Sequence, residues 1–247
     1  MVVGRDLTPD WIEKVGTMLK EIFRQMCLWF KEPGKGLSLD QLQLFIEHQN
    51  PFGRVTTLVT DIYENIRRDW ESFYENNFNL KADFSNIRIP KFPGLGWRLL
   101  IIAKGVDPEQ VFQLSKKIFG RAWKYYDASL DVVVVKNERS NKDNAYAIWV
   151  RNGQEADEIH KNKSANQVEA EKLLTETCLE RLIHGFKYFK ETNKHLDIET
   201  TTLCSGSRYS DGGVPFMHWS SINDGFHVGY YYIDVADDGL RAREVVS

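Results

Sequence analysis

The stretch that decides the C-terminal fold is Val214-Pro-Phe-Met-His-Trp-Ser-Ser-Ile-Asn-Asp-Gly-Phe-His-Val-Gly-Tyr-Tyr-Tyr-Ile233. Its two halves are rich in aromatic and β-branched residues, which favour strands. The central Asp224-Gly225 pair is typical of a two-residue type I′ hairpin turn. That turn predicts His218 opposite Tyr231, with His227 four residues away along the same face. The two histidines would then stand roughly 13 Å apart at about 3.3 Å per residue, so no metal site is predicted there.

Upstream of this hairpin, short extended segments alternate with helices. Asp107 and Pro108 predict the start of a helix, because Asp is a preferred N-cap and Pro suits the first helical position. Val111, Leu114 and Ile118 form its predicted inner face. Strands are expected at Trp97–Lys104 and at residues 121–126, 131–136, 145–151 and 198–204.

A long helix is expected between about Ser164 and Glu191. Two capping boxes compete for its start, Ser164 with Gln167 and Thr177 with Glu180. A break near Thr175 is therefore an alternative to one continuous helix.

The N-terminal part shows the helical period instead of the extended one. Apolar residues recur at spacings of three and four within residues 9–31 and again within residues 55–75, and a shorter helix opens at Ser38. Residues 81–96 contain Pro and Gly and lack periodicity, which indicates a linker. The prediction is an α+β protein. A helical N-terminal region at residues 1–80 precedes a mixed domain at residues 97–247, in which helices cover a largely antiparallel sheet.

Composition excludes several classes of protein. Of the 247 residues, 42% are apolar and 27% charged, with a formal net charge of −3, so the chain is an ordinary globular one. Three cysteines without a C-x-x-C pair exclude a zinc ribbon or thioredoxin motif. No apolar run approaches the ~20 residues of a membrane helix, and no secretion signal is visible at the N-terminus. We expect a soluble, cytoplasmic protein without a membrane partner.

The most unusual segment is the loop Thr202-Leu-Cys-Ser-Gly-Ser-Arg-Tyr-Ser-Asp-Gly-Gly213. Its small residues could let backbone N–H groups converge on an anion, with Arg208 as a bidentate partner. A catalytic interpretation makes Cys204 a nucleophile, with His195 or His218 as base. The structural alternative is a connection in which Ser, Asp and Gly serve only turn geometry. The candidate ligand-binding residues are Cys204, Ser205, Gly206, Ser207, Arg208 and Asp211.

A second candidate is the basic, aromatic-rich segment at residues 81–124. The segment holds nine Lys and Arg against three acidic residues, and among them are interleaved Phe84, Phe92, Trp97, Phe119 and Trp123. Basic groups neutralise phosphates while rings stack on unpaired bases, so the segment could contact nucleic acid or an acidic protein. The alternative is that the rings belong to the core and the lysines only solvate a face. The predicted basic surface consists of Lys116, Lys117, Arg121 and Lys124.

Several stretches resemble an uncharacterised family of small bacterial proteins. They are residues 146–158, 186–197, 203–208 and 240–247, and the similarity spans about residues 97–247. No activity is assigned to that family. The resemblance implies a bacterial, cytosolic setting and transfers no site residue.

The sequence favours a non-catalytic binding module over an enzyme, because no catalytic signature accompanies the basic segment. It would bind an anionic ligand, nucleic acid or an acidic protein through residues 81–124 and the 204–213 loop, without cofactor or metal. A hydrolase or transferase that uses Cys204 is one alternative. A structural protein that dimerises through its N-terminal helices is another. Substrate, partner and oligomeric state stay open.

Overall fold

A computed structural model describes the chain from residue 55 to residue 247, with side chains from residue 62 onward. The chain divides into two compact units, Met1–Asn65 and Ile66–Ser247. The first helix described, α1, spans Val55–Phe78 and confirms the helix predicted at residues 55–75. The helices predicted at residues 9–31 and from Ser38 lie outside the described residues.

The second unit mixes short helices with short strands. The remaining helices are α2 (Pro108–Phe119), α3 (Leu130–Val133), α4 (Ala165–Ala170) and α5 (Cys178–Thr192), with a 3-10 turn at Glu158–His160. The strands are β1 (Trp97–Ile102), β2 (Ala122–Lys124), β3 (Val134–Asn137), β4 (Tyr146–Arg151), β5 (Thr201–Leu203), β6 (Ser207–Tyr209), β7 (Val214–Ser220), β8 (Gly225–Tyr231), β9 (Leu240–Arg241) and β10 (Val245–Val246). Among the described residues, no helix combines the length and the apolar character that crossing a bilayer requires.

The strands form three sheets, and most of their pairs are antiparallel. The largest sheet has the order β2-β8-β7-β5-β9, in which β2 lies parallel to β8 and β9 parallel to β5. A second sheet, β1-β4-β10, is antiparallel throughout, and β3 pairs with β6 in a third. The mixed α+β class and the mainly antiparallel pairing agree with the prediction.

The region predicted as one long helix is broken, because both capping boxes form. The Ser164 hydroxyl accepts from Gln167 N while the Gln167 side chain accepts from Ser164 N, which starts α4. Thr177 and Glu180 make the same reciprocal pair at the start of α5. Each box satisfies backbone donors that a helix N-terminus leaves without partners. The single long helix is therefore wrong, and the alternative of a break near Thr175 is confirmed.

The predicted inner face of α2 is only partly correct. Asp107 accepts from Gln110 N and caps the helix as expected, and Val111 is buried. Phe112 and Ser115 are the other buried residues of α2, whereas Ile118 is exposed. The large Phe112 ring turns inward, and this rotates the buried stripe away from the predicted one.

Four of the five predicted short strands appear, at β1, β2, β4 and β5, each shorter than predicted. The fifth, at residues 131–136, differs at its start. Its valines begin in the single turn of α3, and the extended conformation starts only at Val134.

Between α1 and β1, residues 79–96 form no helix or strand, but part of this segment packs into the core of the second unit. Phe84 is 1% exposed, and its backbone N donates to Glu71. The Trp149 indole donates to the Pro90 carbonyl. Residues of the predicted linker therefore contribute to the core.

The β7–β8 hairpin forms, but its predicted turn is wrong. The last cross-strand pair is Ser220 with Gly225, so four residues, 221–224, make the connection instead of two. Asp224 itself takes a left-handed φ of +48°. Gly225 belongs to the strand, where a Cβ would lie 3.3 Å from the Cβ of Arg121. A contact distant in sequence therefore places the glycine in β8, and the whole register moves with it.

A buried charge network joins α5, the approach to β5 and the C-terminal segment. Arg181 and Arg243 each donate to the Asp197 carboxylate, and Thr202 donates to it as well. All four side chains are nearly inaccessible. Burial alone would raise the pKa of Asp197, but the two guanidinium groups hold that pKa below its usual range. The backbone carbonyl of Asp197 also accepts from Trp219 N on β7. The network thus anchors the strand that carries the candidate site.

Candidate functional site

The corrected register places His218 directly opposite His227 on the neighbouring strand. They are direct cross-strand partners, and their ring centroids are 5.0 Å apart. The predicted partner of His218, Tyr231, lies opposite Val214 instead. The separation of roughly 13 Å derived above from about 3.3 Å per residue is therefore wrong.

The two histidines are the middle of a continuous row of rings on one face of the five-stranded sheet. We call this set the ring row, and its members come from β2, β8 and β7. Neighbouring centroids are 5.4 Å apart for Trp123–His227, 5.0 Å for His227–His218, 5.7 Å for His218–Phe216 and 4.5 Å for Phe216–Tyr231. Trp123 is 49% exposed, and the other rings are half-buried.

Strand pairing and one glycine set the positions of these rings. β2 runs parallel to β8, which places Trp123 opposite His227. Phe216 lies opposite Gly229, where an added Cβ would come within 2.0 Å of the Phe216 ring. The tip of the Phe216 ring therefore occupies the space that a side chain would need at position 229, a close approach that only glycine permits.

The two ends of the ring row differ in their surroundings. At the Phe216 and Tyr231 end, the sheet is covered by a small apolar cluster that includes Ala165 and Leu240. At the Trp123 end, the row opens onto a shallow depression lined also by Arg121 and Asn223. Arg121 and the exposed indole of Trp123 thus lie at the same edge of the sheet.

Both histidines of the ring row are neutral at physiological pH. Burial lowers the pKa of His218, and the adjacent His227 lowers it further. Burial also lowers the pKa of His227. Neutral imidazoles behave as flat aromatic surfaces, so the ring row carries no charge of its own above pH 7.

The opposite face of the same sheet is closed. Met217, Phe226 and Val228 are buried there. His195 stacks on Trp219 with centroids 3.4 Å apart and an interplanar angle of 4°. Burial lowers the pKa of His195 to about 4, so this histidine acts as an aromatic packing residue.

The four predicted basic residues are not one surface. Lys116 and Lys117 are exposed in the last turn of α2, and Lys117 lines a groove beside the end of α1. Lys124 forms an ion pair with Glu109 at 2.8 Å and is not available to a ligand. Arg121 alone of the four lines the depression beside Trp123.

The interleaved rings of residues 81–124 divide in the same way. Phe84 is a core residue, and Phe119 packs against Phe186, Phe189 and Phe226. Phe92 and Trp123 are 45% and 49% exposed, and of these two only Trp123 belongs to the ring row.

The glycine-rich loop uses the Arg208 guanidinium and several of its backbone N–H groups internally. Arg208 donates to the carbonyls of Ser205 and Ser207 and to the carboxylate of Glu169. Of the backbone groups, Ser207 N donates to the Cys204 carbonyl and Tyr209 N to that of Gly213. Exposed Asp211 accepts from the Tyr126 hydroxyl and from Gly213 N. This geometry favours the structural interpretation of the loop over an anion-binding nest.

The thiol of Cys204 lies in the core. Cys204 is fully buried, and burial raises the pKa of its thiol well above the ordinary range. A reactive cysteine needs an accessible thiolate beside a cation. His195 lies in the aromatic cluster and His218 in the ring row. The surroundings of Cys204 therefore give no support to its predicted nucleophilic role.

A small cavity does lie beside the loop. Its lining includes Ser205, Gly206 and Arg208, together with Lys136 on β3, and its volume is about 40 Å³. That space suits a water molecule or two rather than a substrate. The buried Ser205 hydroxyl on this lining has no hydrogen-bond partner in the protein, so a water there would satisfy it.

The sequence does not predict the ring row as a unit, although His218, His227 and Tyr231 belong to the predicted hairpin and Trp123 to the basic, aromatic-rich segment. The missing information was the pairing of β2 with β8, which joins residues about a hundred positions apart. The alternation of aromatic residues along β7 and β8 is the available signal, but the wrong turn gives these residues incorrect cross-strand partners.

Comparisons with protein-family models, with curated proteins and with solved structures found no match to this chain. The resemblance to a bacterial family stated above stays a prediction.

Proposed function

We propose that this protein is a non-catalytic binding module that holds single-stranded nucleic acid on the ring row. The observation that carries the proposal is the exposed indole of Trp123, at the open end of a row of rings and next to Arg121. Exposed aromatic surface beside further rings and a cation indicates a contact site, because burying that surface against a partner would be favourable.

The chemistry of the row fits an unpaired base. Stacking of a base on an aromatic side chain is worth about 1–3 kcal/mol and tolerates any base. Trp123 offers the exposed ring, and His227 extends the aromatic surface beside it. Neutral histidines in the row avoid the desolvation of a charge when a base covers them.

Arg121 supplies the electrostatic contribution to the proposed binding of nucleic acid. It lies at the open edge of the depression, where the backbone of a bound strand would run past the stacked base. A guanidinium binds phosphate oxygens through two donors at once. Of the four predicted basic residues, only Arg121 lies at this edge. The affinity for nucleic acid therefore depends on stacking more than on charge, and it should decrease only slightly as the salt concentration rises.

The test is fluorescence anisotropy with short labelled oligo(dT) and oligo(U), at low and at physiological salt. Trp123→Ala should raise Kd roughly 5- to 150-fold, because loss of stacking costs about 1–3 kcal/mol and about 1.4 kcal/mol is tenfold. Arg121→Gln should weaken binding and reduce the slope of log K against log salt by about 0.7, the value for one phosphate on a single strand.

Phe92→Ala is the matched control, because Phe92 is 45% exposed and packs on Trp149, outside the ring row. It should leave the affinity unchanged. Binding that is indifferent to Trp123→Ala, or no saturable binding to either oligonucleotide, contradicts the proposal. Heparin retention that depends on Lys116 and Lys117 but not on Trp123 would favour an acidic protein partner instead.

A further inference from the structure

Three potential metal ligands meet at a different place, where the C-terminal segment crosses the 3-10 turn. Asp157 precedes that turn, His160 ends it, and Glu244 lies between β9 and β10. One ligand atom from each side chain lies within 4.8 Å of the other two. Eighty-four positions separate the histidine from the glutamate, so the fold rather than the local chain creates the cluster.

The state of His160 is the unusual feature. The residue is 4% exposed, and neither of its ring nitrogens has a hydrogen-bond partner. Its Nε2 lies 3.7 Å from Oε2 of Glu244, which is too long for a hydrogen bond. Buried imidazoles are ordinarily hydrogen-bonded, and one that is not requires an explanation such as an ion or water.

The two carboxylates of the cluster are oriented by the main chain and by one arginine. Oδ2 of Asp157 accepts from Glu244 N at 2.7 Å, which orients the carboxylate. Arg151 donates to Oε2 of Glu244 at 2.9 Å and stands 3.7 Å from Oδ2 of Asp157. Its side chain is 40% exposed and rests on the Trp97 ring. The guanidinium carbon itself lies 4.7 Å from the centroid of the indole, so an incoming ion would displace only the contact of Arg151 with Glu244.

We propose that Asp157, His160 and Glu244 bind one zinc ion, with a water molecule as the fourth ligand. One imidazole nitrogen and two carboxylate oxygens suit a borderline divalent metal. Two ligands about 2.0–2.1 Å from a tetrahedral ion stand roughly 3.4 Å apart. The 3.7 Å between His160 and Glu244 needs only a small closure to reach that separation.

The position of the cluster gives the ion a structural role. β10 has only two residues and is held to the sheet through β4. Glu244 directly precedes β10, whereas Asp157 and His160 belong to the segment that follows β4. An ion bound by all three would fasten the last strand to the body of the unit.

The first experiment titrates the full-length, metal-free protein with Co²⁺, whose visible absorption reports coordination geometry, and then displaces it with Zn²⁺. We expect one equivalent of Co²⁺ with a tetrahedral spectrum, and at least a tenfold loss of affinity in His160→Gln. Glu244→Gln, which changes a partly exposed side chain and preserves its shape, should lose affinity without loss of fold. His227→Gln is the control, and it separates this site from the histidine pair of the ring row.

Arg151→Gln provides a test with the opposite sign. Removing the guanidinium that competes for both carboxylates should tighten Co²⁺ binding at least tenfold. An unchanged affinity in Arg151→Gln and in His160→Gln, or no saturable binding, would overturn the proposal. Loss of binding in His227→Gln alone would assign the metal to the ring row and overturn it equally. None of these readouts depends on nucleic acid.

Discussion

Substitution of Asp197 by Ala should destabilise the second unit far more than any surface change. The carboxylate accepts from Arg181 at 3.0 and 2.7 Å and from Arg243 at 2.6 Å, and all three side chains are at most 1% exposed. Its removal leaves two buried guanidinium groups without their counter-charge. Breaking a buried ion pair in this way costs about 3–5 kcal/mol, a large share of the ~5–15 kcal/mol by which domains are stable.

Urea unfolding followed by tryptophan fluorescence measures this loss. With an m-value of about 2 kcal/mol per molar, a cost near 4 kcal/mol lowers the midpoint by about 2 M. The matched comparison is Glu169→Ala, which removes the carboxylate of an exposed pair with Arg208. Such surface pairs contribute about 0–1 kcal/mol. Equal midpoints for the two variants would refute the assignment of a stabilising role to the buried network.

Acid sensitivity gives a second readout on the same residue. The folded-state pKa of Asp197 is lowered, so its ionisation stabilises the fold above the unfolded pKa near ~3.9 and this contribution disappears as pH falls through the folded value. The urea midpoint of the wild type should therefore decrease as the pH drops below about 4. The urea midpoint of Asp197→Ala should lack this part of the pH dependence. An acid limb that is identical in both proteins would contradict the reasoning.

Two further predictions concern buried groups outside the candidate sites. Burial raises the pKa of Glu176 to about 8, so the folded protein holds a proton that the unfolded chain releases, and stability falls as pH rises from about 4.3 toward that value. Glu176→Gln should therefore gain stability relative to wild type between pH 5 and pH 9, as urea midpoints across that range would show; a constant difference would argue against it. Burial raises the thiol pKa of Cys178 and of Cys204, so iodoacetamide should label neither in the native protein at neutral pH and both in urea, as peptide mass spectrometry can follow. Fast native labelling of Cys204 would restore its predicted nucleophilic role.

The parts of the fold that the sequence predicts well are those decided within one helical turn. Both capping boxes need only residues three positions apart, Ser164 with Gln167 and Thr177 with Glu180, and both form. The Asp107 cap of α2 is equally local. Because such contacts are independent of the rest of the chain, the sequence pattern alone predicts these helix starts correctly.

The hairpin register shows where local reasoning fails. Asp-Gly favours a two-residue turn in isolation, but Gly225 here meets the main chain of Arg121, to which Phe226 N donates. That pairing of β2 with β8 closes a loop of about a hundred residues and is not encoded near the turn. The ring row and the Asp157–His160–Glu244 cluster arise from the same kind of distant contact, which is why neither was predicted.

The glycine-rich loop and the ring row also differ in what their composition can reveal. Small polar residues can satisfy one another, and here they do: Ser207 accepts from Cys178 N at the start of α5 and donates to Asn137. A loop rich in Ser, Gly and Asp is therefore compatible with a helix cap as well as with a ligand site. An exposed indole has no comparable internal solution, because its apolar surface is satisfied only by burial. For this chain, Trp123 consequently carries more functional information than Arg208, whose donors are already used within the protein.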